Sequence, residues 1–517
     1  MAHQVNLDAL IPREDFEVLK QDSQDSLSLP TQTLQIRNLE PGDFFYGVVR
    51  KPDFQRETSD WPPDKIVGFV QSFLEGDLIP ALILWQAGSQ IFVIDGAHRL
   101  SALIAWVHDD YGDGKTSKLF FDGIIPPEQI DAADYTRRQV KKMIGTYDDH
   151  KLAIQFPEKV TDDTLARAKR LGSLAIQLQW VKGDASKAEA SFFKINQQAA
   201  PIDKTELKLL KARKYPNALA ARAIVRSGTG HKYWSRFNPE TKDEIEKKAK
   251  EINELLFSPS LRTPIKTLDL PVAGRAYSSQ TLPLVFEFVN LANGVKSDSK
   301  LEEDKSGEAT LQHLGKCRDL ANRMSGTHPS SLGLHPVVYF YSSAGRYQPT
   351  AFLATVAFLQ DLEARDGFRA FTRVRRAYED FLLDHRVLVN QVTVKYGSGP
   401  KGFAHLKQLF LFLLEQLEVG KTAMEIIEMM EGHPQFSFLQ PAEVAAPEAG
   451  KDFRTDAKSA VFLRDALKDP MRCGICTGLV HRNAISIDHV KRKQDGGLGE
   501  VDNGQLTHPY CNSTVKN

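Results

Sequence analysis

Four side chains near the C-terminal end have the types and spacing of a zinc site. Cys473 and Cys476 form a C-x-x-C pair, and His508 and Cys511 form an H-x-x-C pair further along the chain. Thiolates and imidazoles in two such pairs suit tetrahedral Zn²⁺. A segment of about 45 residues buries too little apolar surface to fold alone, so a structural metal is expected. Three of the four cysteines lie here, which favours a metal site in a reducing compartment over a disulfide framework.

The elements that must position these ligands are predicted between the two pairs. Residues 479–481 and 484–488 predict a short hairpin that turns at residues 482–483, followed by a glycine-rich loop. Asp502, with Gln505 at the third helical position, has the pattern of a capping box and predicts a helix from there. The predicted order is therefore strand, strand, loop, helix.

A second set of residues lies within these elements and resembles a known family. The set consists of Asp488-His489, Gly496-Gly497, Asn503 and His508-x-x-Cys511-Asn512. It resembles the HNH (ββα-metal) endonucleases with an added zinc knuckle, over roughly the last 45 residues of the sequence. The resemblance implies a small zinc-bound ββα domain that cleaves DNA.

The resemblance also implies roles for single residues. His489 would be the general base that deprotonates a water for attack on a phosphodiester, which suits an imidazole near pH 7. Asp488 and Asn512 would hold one divalent cation, Mg²⁺ or Mn²⁺. Asn503 would brace the loop and orient the histidine. His508 stands where Cys is commoner in the family, so the catalytic metal is an alternative partner for it.

A basic run follows the proposed base directly. Lys491, Arg492 and Lys493 would contact the DNA backbone. The alternative for such a run is a solvated loop, and the alternative for the whole module is a zinc ribbon that docks on DNA without cutting it.

A separate motif lies in the N-terminal part of the sequence. Residues 91–94 predict an apolar strand, Gly96 a turn, and the residues after it a helix. Such a junction directs backbone N–H groups at an anion, and Arg99 adds a phosphate donor. Asp95 and His98 could bind a metal or act as acid and base. The alternative is a buried Asp95 pair with Arg99 or His98 that only closes the turn.

This motif resembles the DGQHR-type motif of the ParB/sulfiredoxin-like superfamily, which includes the N-terminal domains of GmrSD-like modification-dependent restriction enzymes. The segment from residue 192 to 201, with Asn196, and the later Glu206 support the resemblance over residues 35–215. It implies a domain that binds or hydrolyses GTP or ATP, or senses modified DNA, and controls a nuclease. Ala97 replaces the usual Gln, which leaves nucleotide hydrolysis open.

The predicted architecture is an α+β multidomain chain. Its parts are a ParB/sulfiredoxin-like α/β domain that acts as sensor or nucleotide site (1–215), an α-helical scaffold (216–440), a linker (441–458) and the HNH domain (459–517). Leu406, Phe410 and Leu413 belong to an apolar face that predicts a buried helix in the scaffold. Three tryptophans are predicted to lie in the core, with base stacking as the alternative, namely Trp61, Trp85 and Trp106.

Composition limits the function classes. Lys plus Arg and Asp plus Glu number 66 each, so contact with nucleic acid must come from local patches. No apolar run is long enough for a membrane span and no secretory signal is visible, so a cytoplasmic protein is expected. The predicted function is a DNA endonuclease that nicks DNA or cuts both strands. Its N-terminal domain would gate cutting by sensing DNA modification or nucleotide, in restriction or anti-phage defence. Alternatives are a non-catalytic zinc-containing DNA-binding regulator and an NTP hydrolase. A homo-oligomer is left open.

Overall fold

Six short strands of the N-terminal part form one mixed sheet in the computed structural model. The strand order is β1-β3-β5-β4-β6-β2. β4 and β5 pair antiparallel, with Trp85 opposite Phe92, and β3 lies parallel to β5 on its other side. The bounds are β1 Arg13–Glu14, β2 Thr33–Gln35, β3 Val49–Pro52, β4 Leu82–Ala87, β5 Gln90–Asp95 and β6 Ala175–Trp180.

The structure describes most of the chain but not all of it. The described residues are 5–14, 31–52, 55, 58, 61–120, 125, 127–199, 204–229, 232–234, 236–258, 268–272, 281–296, 299–440 and 455–516. Residues 441–454 of the predicted linker (441–458) lie outside the described residues. Its last four residues belong to a helix.

Nine helices accompany the sheet among these residues. They are α1 Phe44–Val48, α2 Pro63–Glu75, α3 Ala97–His108, α4 Lys115–Phe120, α5 Pro127–Met143, α6 Tyr147–Gln155, α7 Asp162–Leu171, α8 Ala185–Ala199 and α9 Lys204–Lys211. The predicted order of strand, glycine turn and helix is confirmed, because β5 ends at Asp95 and α3 begins after Gly96. Leu100, Leu103 and Ile104 of α3 are fully buried, as their helical spacing predicts.

The rest of the chain is mostly helical up to the cysteine-rich segment. The bounds are α10 Pro216–Val225, α11 Pro239–Phe257, α12 Thr281–Asn293, α13 Glu308–Met324, α14 Pro336–Tyr339, α15 Pro349–Ala364, α16 Phe368–Asp384, α17 Val387–Tyr396, α18 Phe403–Glu418, α19 Ala423–Glu431 and α20 Thr455–Ala466. The predicted buried helix is α18, whose Leu406, Phe410 and Leu413 are all buried. α18 packs on α15 and α16.

The C-terminal segment folds as two paired strands and a last helical segment. β7 (Ser486–His489) pairs antiparallel with β8 (Gly504–Thr507), and the helical segment Cys511–Val515 follows. The prediction of two strands before the loop was wrong, because the loop lies between the strands. Gln505 is on a strand and not on a helix. A capping pattern contributes only about 1 kcal/mol, which is less than pairing with β7 provides along a whole strand.

The chain divides into two compact units. One comprises Met1–Lys214 and Thr229–Asn238, and the other Tyr215–Gly228 and Pro239–Asn517. The mixed sheet is in the first unit. The helices from α10 onward and the cysteine-rich segment are in the second. None of the described helices is long and apolar enough to cross a membrane.

Candidate active site and metal centre

All four predicted zinc ligands meet in one buried cluster. The Sγ atoms of Cys473, Cys476 and Cys511 and a ring nitrogen of His508 lie within 4.8 Å of one another. His508 Nδ1 is 3.3 Å from Cys476 Sγ and 3.8 Å from Cys511 Sγ. A tetrahedral Zn²⁺ with bonds of about 2.3 Å to sulfur separates its ligand atoms by about 3.8 Å. The donor set and its spacing therefore fit zinc, and His508 belongs with the cysteines.

Local hydrogen bonds prepare the cluster for a metal. The tight turn after Cys473 is closed by its N–H, which donates to Gly478 O at 2.9 Å. His508 Nε2 lies 2.8 Å from Leu479 O, so this nitrogen carries the proton and the lone pair is on Nδ1. Hydrogen bonds from the thiols of Cys476 and Cys511 lower the pKa of Cys473, while the pKa values of Cys476 and Cys511 are raised. The imidazole is thus oriented as a ligand, and a thiolate is favoured beside it.

A buried ion pair attaches this cluster to α16. Arg375 and Glu379 are one turn apart on α16, with Nε to Oε1 at 2.7 Å, and both are almost completely buried. Glu379 Oε2 accepts the Leu479 N–H at 2.6 Å, and Arg375 Nη1 lies 3.2 Å from His508 Nδ1. Burial alone would lower the pKa of Arg375, but the Glu379 carboxylate together with Cys476 and Tyr339 raises it. The Arg375 guanidinium therefore stays charged beside the zinc-binding segment.

Removal of one partner of this pair should destabilise the second unit strongly. Glu379→Leu leaves the Arg375 charge buried and uncompensated, so we expect a loss of about 3–5 kcal/mol in the free energy of unfolding. The double variant Arg375→Met/Glu379→Leu removes both charges and should be less destabilised. Denaturant unfolding of the two variants checks this. A double variant at least as unstable as Glu379→Leu alone would contradict a role for charge pairing.

Asp488 lies at the end of β7 with two polar partners on its carboxylate. Gln505 Nε2 donates to Oδ2 at 2.8 Å, since the two residues face each other across the strand pair. Lys516 Nζ lies 2.7 Å from the same oxygen. Burial would raise the pKa of Asp488, but these two hydrogen bonds lower it. The carboxylate is therefore ionised at neutral pH, and the Lys516 ammonium supplies positive charge at the position predicted for a cation.

His489 is the last residue of β7 and is half-exposed. Its imidazole has no hydrogen-bond partner among the described residues, so both ring nitrogens are available to a substrate. Asn503 holds the loop that follows. Its Oδ1 accepts the Lys491 N–H at 2.7 Å, and its Nδ2 donates to Leu498 O at 2.8 Å. The loop is thereby closed next to His489, as expected for a bracing residue.

Asn512 binds β7 just before the Asp488–His489 pair. Its Nδ2 donates to Ser486 Oγ at 2.7 Å and to Ile487 O at 3.3 Å. The structure thus places Asn512 against the backbone that carries Asp488, and it places Lys516 rather than Asn512 on the Asp488 carboxylate. The basic run is exposed: Lys491, Arg492 and Lys493 all face solvent on the loop after His489.

The N-terminal motif lines a cleft of about 760 Å³ in the first unit. Gly96 has φ of 94°, and a Cβ there would lie 2.4 Å from a Leu82 methyl carbon, so only glycine fits. Arg99 Nη2 is 2.7 Å from Asp95 Oδ2, and Arg99 Nη1 donates to Pro80 O. Arg99 therefore closes the strand–helix turn, as the simpler alternative predicts, while it also lines the cleft.

An aromatic wall forms another side of this cleft. The rings of Trp61 and His98 are stacked with centroids 5.8 Å apart and planes 25° apart. Lys65 Nζ lies 4.8 Å above the Trp61 ring. Trp61 is half-exposed and packs against the core, so its predicted burial is correct only in part, whereas Trp85 and Trp106 are buried as predicted. The cleft thus combines a flat ring, a cation and a carboxylate.

Two known families match these two regions of the chain. The family described as GmrSD restriction endonuclease, N-terminal domain, matches residues 37–215. The HNH endonuclease family matches residues 473–517. The chain carries a GmrSD N-terminal domain and an HNH endonuclease domain. No curated protein and no solved structure matches the chain. Both domains are those of endonucleases, and HNH domains use divalent metal ions, so the chain is built as a nuclease that acts on DNA.

Several side chains at these sites were not predicted. In the GmrSD-type domain they are Trp61 and Lys65. Polar residues near them in the sequence could have indicated that both side chains are at least partly exposed. In the HNH domain they are Gln505 and Lys516, which only the pairing of β7 with β8 and the course of the last residues bring to Asp488. The side chain of the predicted site residue Asn196 lies outside the described residues.

Proposed function

We propose that the HNH domain hydrolyses DNA with His489 as general base. The observation that carries this proposal is the end of β7, where an ionised Asp488 adjoins a half-exposed imidazole and Asn503 closes the loop beside it. An unprotonated ring nitrogen of His489 would take the proton of the attacking water, which is a role that an imidazole can perform at neutral pH. The zinc cluster would hold the domain together without entering the reaction.

Asp488 and Asn512 are proposed to hold the catalytic divalent cation. Their oxygen donors are hard ligands of the kind that Mg²⁺ and Mn²⁺ prefer, and a cation bound there would stabilise the negative charge of the phosphate. Lys516 is bound to the same carboxylate and would have to share it or move away. Lys491, Arg492 and Lys493 would contact the DNA backbone beside His489.

The GmrSD-type domain is proposed as the sensor that gates cutting. The proposed domain organisation is the sensor domain (1–215), the helical scaffold (216–440), the linker (441–458) and the HNH domain (459–517). The aromatic and cationic wall of Trp61 and Lys65 favours a ligand with a flat ring and negative charge. A modified nucleotide of DNA and a free nucleotide such as GTP or ATP both combine a flat base with a charged phosphate. A ParB/sulfiredoxin-like fold for this domain, and a place in restriction or anti-phage defence, belong to the same proposal.

Cleavage of unmodified and modified DNA by the whole chain tests the proposal. We expect cutting that requires Mg²⁺ or Mn²⁺, is abolished by a chelator of these ions, and depends on DNA modification or on added nucleotide. Trp61→Ala should remove that dependence, because it removes the aromatic wall; Trp180→Ala, which changes a tryptophan outside the cleft, is the control. Absence of cutting on every substrate and nucleotide would favour a non-catalytic DNA-binding regulator.

A further inference from the structure

A line of exposed arginines runs along α16 beside the HNH domain. Arg369, Arg373 and Arg376 all face solvent. At about 100° per residue, they fall within one sector of about 60° on the helix surface. The side chains that pack on the HNH domain, among them Arg375 and Glu379, lie on the neighbouring face of the same helix. We refer to Arg369, Arg373 and Arg376 as the arginine line.

The arginine line is continuous with the proposed cutting site. Arg369 Nη2 donates to Thr514 O at 3.2 Å, in the helical segment that also carries Asn512. Two residues further, Lys516 binds both the Asp488 carboxylate and the His489 carbonyl. The first arginine of the line is therefore connected to the proposed metal-binding carboxylate through a few residues of chain.

The charge of this face is only partly neutralised. Asp380 is shared between Arg376, at 3.6 Å, and Arg472 of the zinc-binding segment, at 3.0 Å. Arg373 has no ion-pair or hydrogen-bond partner among the described residues. Among the described residues, Asp380 is therefore an ion-pair partner of two arginines on this surface, and neither Arg369 nor Arg373 forms an ion pair. An unpaired guanidinium between two others is suited to a phosphate, which it can bind with two parallel hydrogen bonds.

We propose that the arginine line is a second contact for the DNA backbone, which extends the proposed nuclease site from the HNH domain onto α16. The line spans about 10 Å of helix axis, and one DNA strand presents a phosphate about every 3.4 Å of its axis. Together with the exposed loop 491–493, the line would contact the backbone of the same duplex that reaches His489. This inference rests on the proposed function.

Salt-dependent DNA binding of the full chain tests the arginine line. The parent carries His489→Ala so that the labelled duplex is not cut, and the test variants add Arg373→Gln or Arg373→Glu. Each phosphate contact contributes about 0.9 to the slope of log affinity against log salt. Arg373→Gln should lower that slope by about this amount and weaken binding several-fold, and Arg373→Glu should weaken it further. Lys247→Gln removes an exposed charge on α11, far along the chain from α16, and should change neither quantity.

The outcomes separate the two proposals. If Arg373→Gln and Arg373→Glu bind like the parent and like Lys247→Gln, while the protein with His489 still cuts DNA, the arginine line is a solvated helix face and the inference is overturned. If the parent does not bind DNA at any salt concentration and the protein with His489 does not cut it, the proposed function and this inference both fail. Thermal unfolding of each variant excludes a folding defect as the cause.

Discussion

Replacement of His489 by alanine is expected to lower the rate of DNA cleavage by about 10²–10⁴-fold, the usual contribution of a positioned general base. The effect should be on the chemical step, because the imidazole has no structural partner among the described residues to lose. Zinc content and thermal stability should therefore equal those of the unmodified chain. Cleavage of plasmid DNA with Mg²⁺ or Mn²⁺ measures the rate, and DNA binding in the absence of cutting shows that the substrate still reaches the site.

A matched histidine provides the control for this experiment. His405 is exposed on α18 and stacks on Tyr396, outside the HNH domain. His405→Ala should cut DNA at the normal rate. Equal cutting by His489→Ala and His405→Ala would show that His489 is not the base.

Substitution of Cys476 by serine is expected to abolish both zinc binding and DNA cleavage. Structural zinc contributes about 10–16 kcal/mol of apparent binding free energy in zinc-finger peptides at neutral pH, and serine replaces a thiolate ligand with a poor one. We expect the C-terminal segment to unfold, zinc to fall from one equivalent per chain toward none, and cleavage to fall to background. Elemental analysis and cleavage assays on the same preparation measure these quantities.

Cys317 supplies the comparison for this second experiment. It is fully buried in α13, away from the cluster of three cysteines. Cys317→Ser should keep its zinc even if it loses some stability. A Cys476→Ser protein that still retains one zinc per chain would contradict the assignment of this thiolate as a ligand.

The zinc ligands could be predicted from the sequence because the chemistry of the metal restricts them. Two pairs of soft or borderline donors at short spacing leave few other interpretations, and the structure brings Cys473, Cys476, His508 and Cys511 together. The junction of β5 and α3 could also be predicted, since Gly96 and the apolar residues around it determine the local backbone. The junction depends on neighbouring residues, and each of the two zinc-binding pairs is itself a short local motif.

Features that depend on distant contacts could not be predicted. The pattern around Asp502 and Gln505 fits a helix cap, but pairing with β7 makes this segment a strand. The attachment of the zinc-binding segment through Arg375 and Glu379 joins residues about one hundred positions apart, and no local pattern encodes such a contact. The exposure of Trp61 likewise depends on the cleft that the fold forms around it.

The buried pair on α16 has a consequence for how two strands could be cut. Because Glu379 accepts the Leu479 N–H and Arg375 lies beside His508, these contacts hold the HNH domain in one orientation on α16. The strands of a duplex run in opposite directions, so a site fixed in one orientation fits only one strand polarity at a time. A chain that has nicked the first strand would need to release the duplex and rebind it reversed, or leave the complementary strand to another copy approaching from the opposite side.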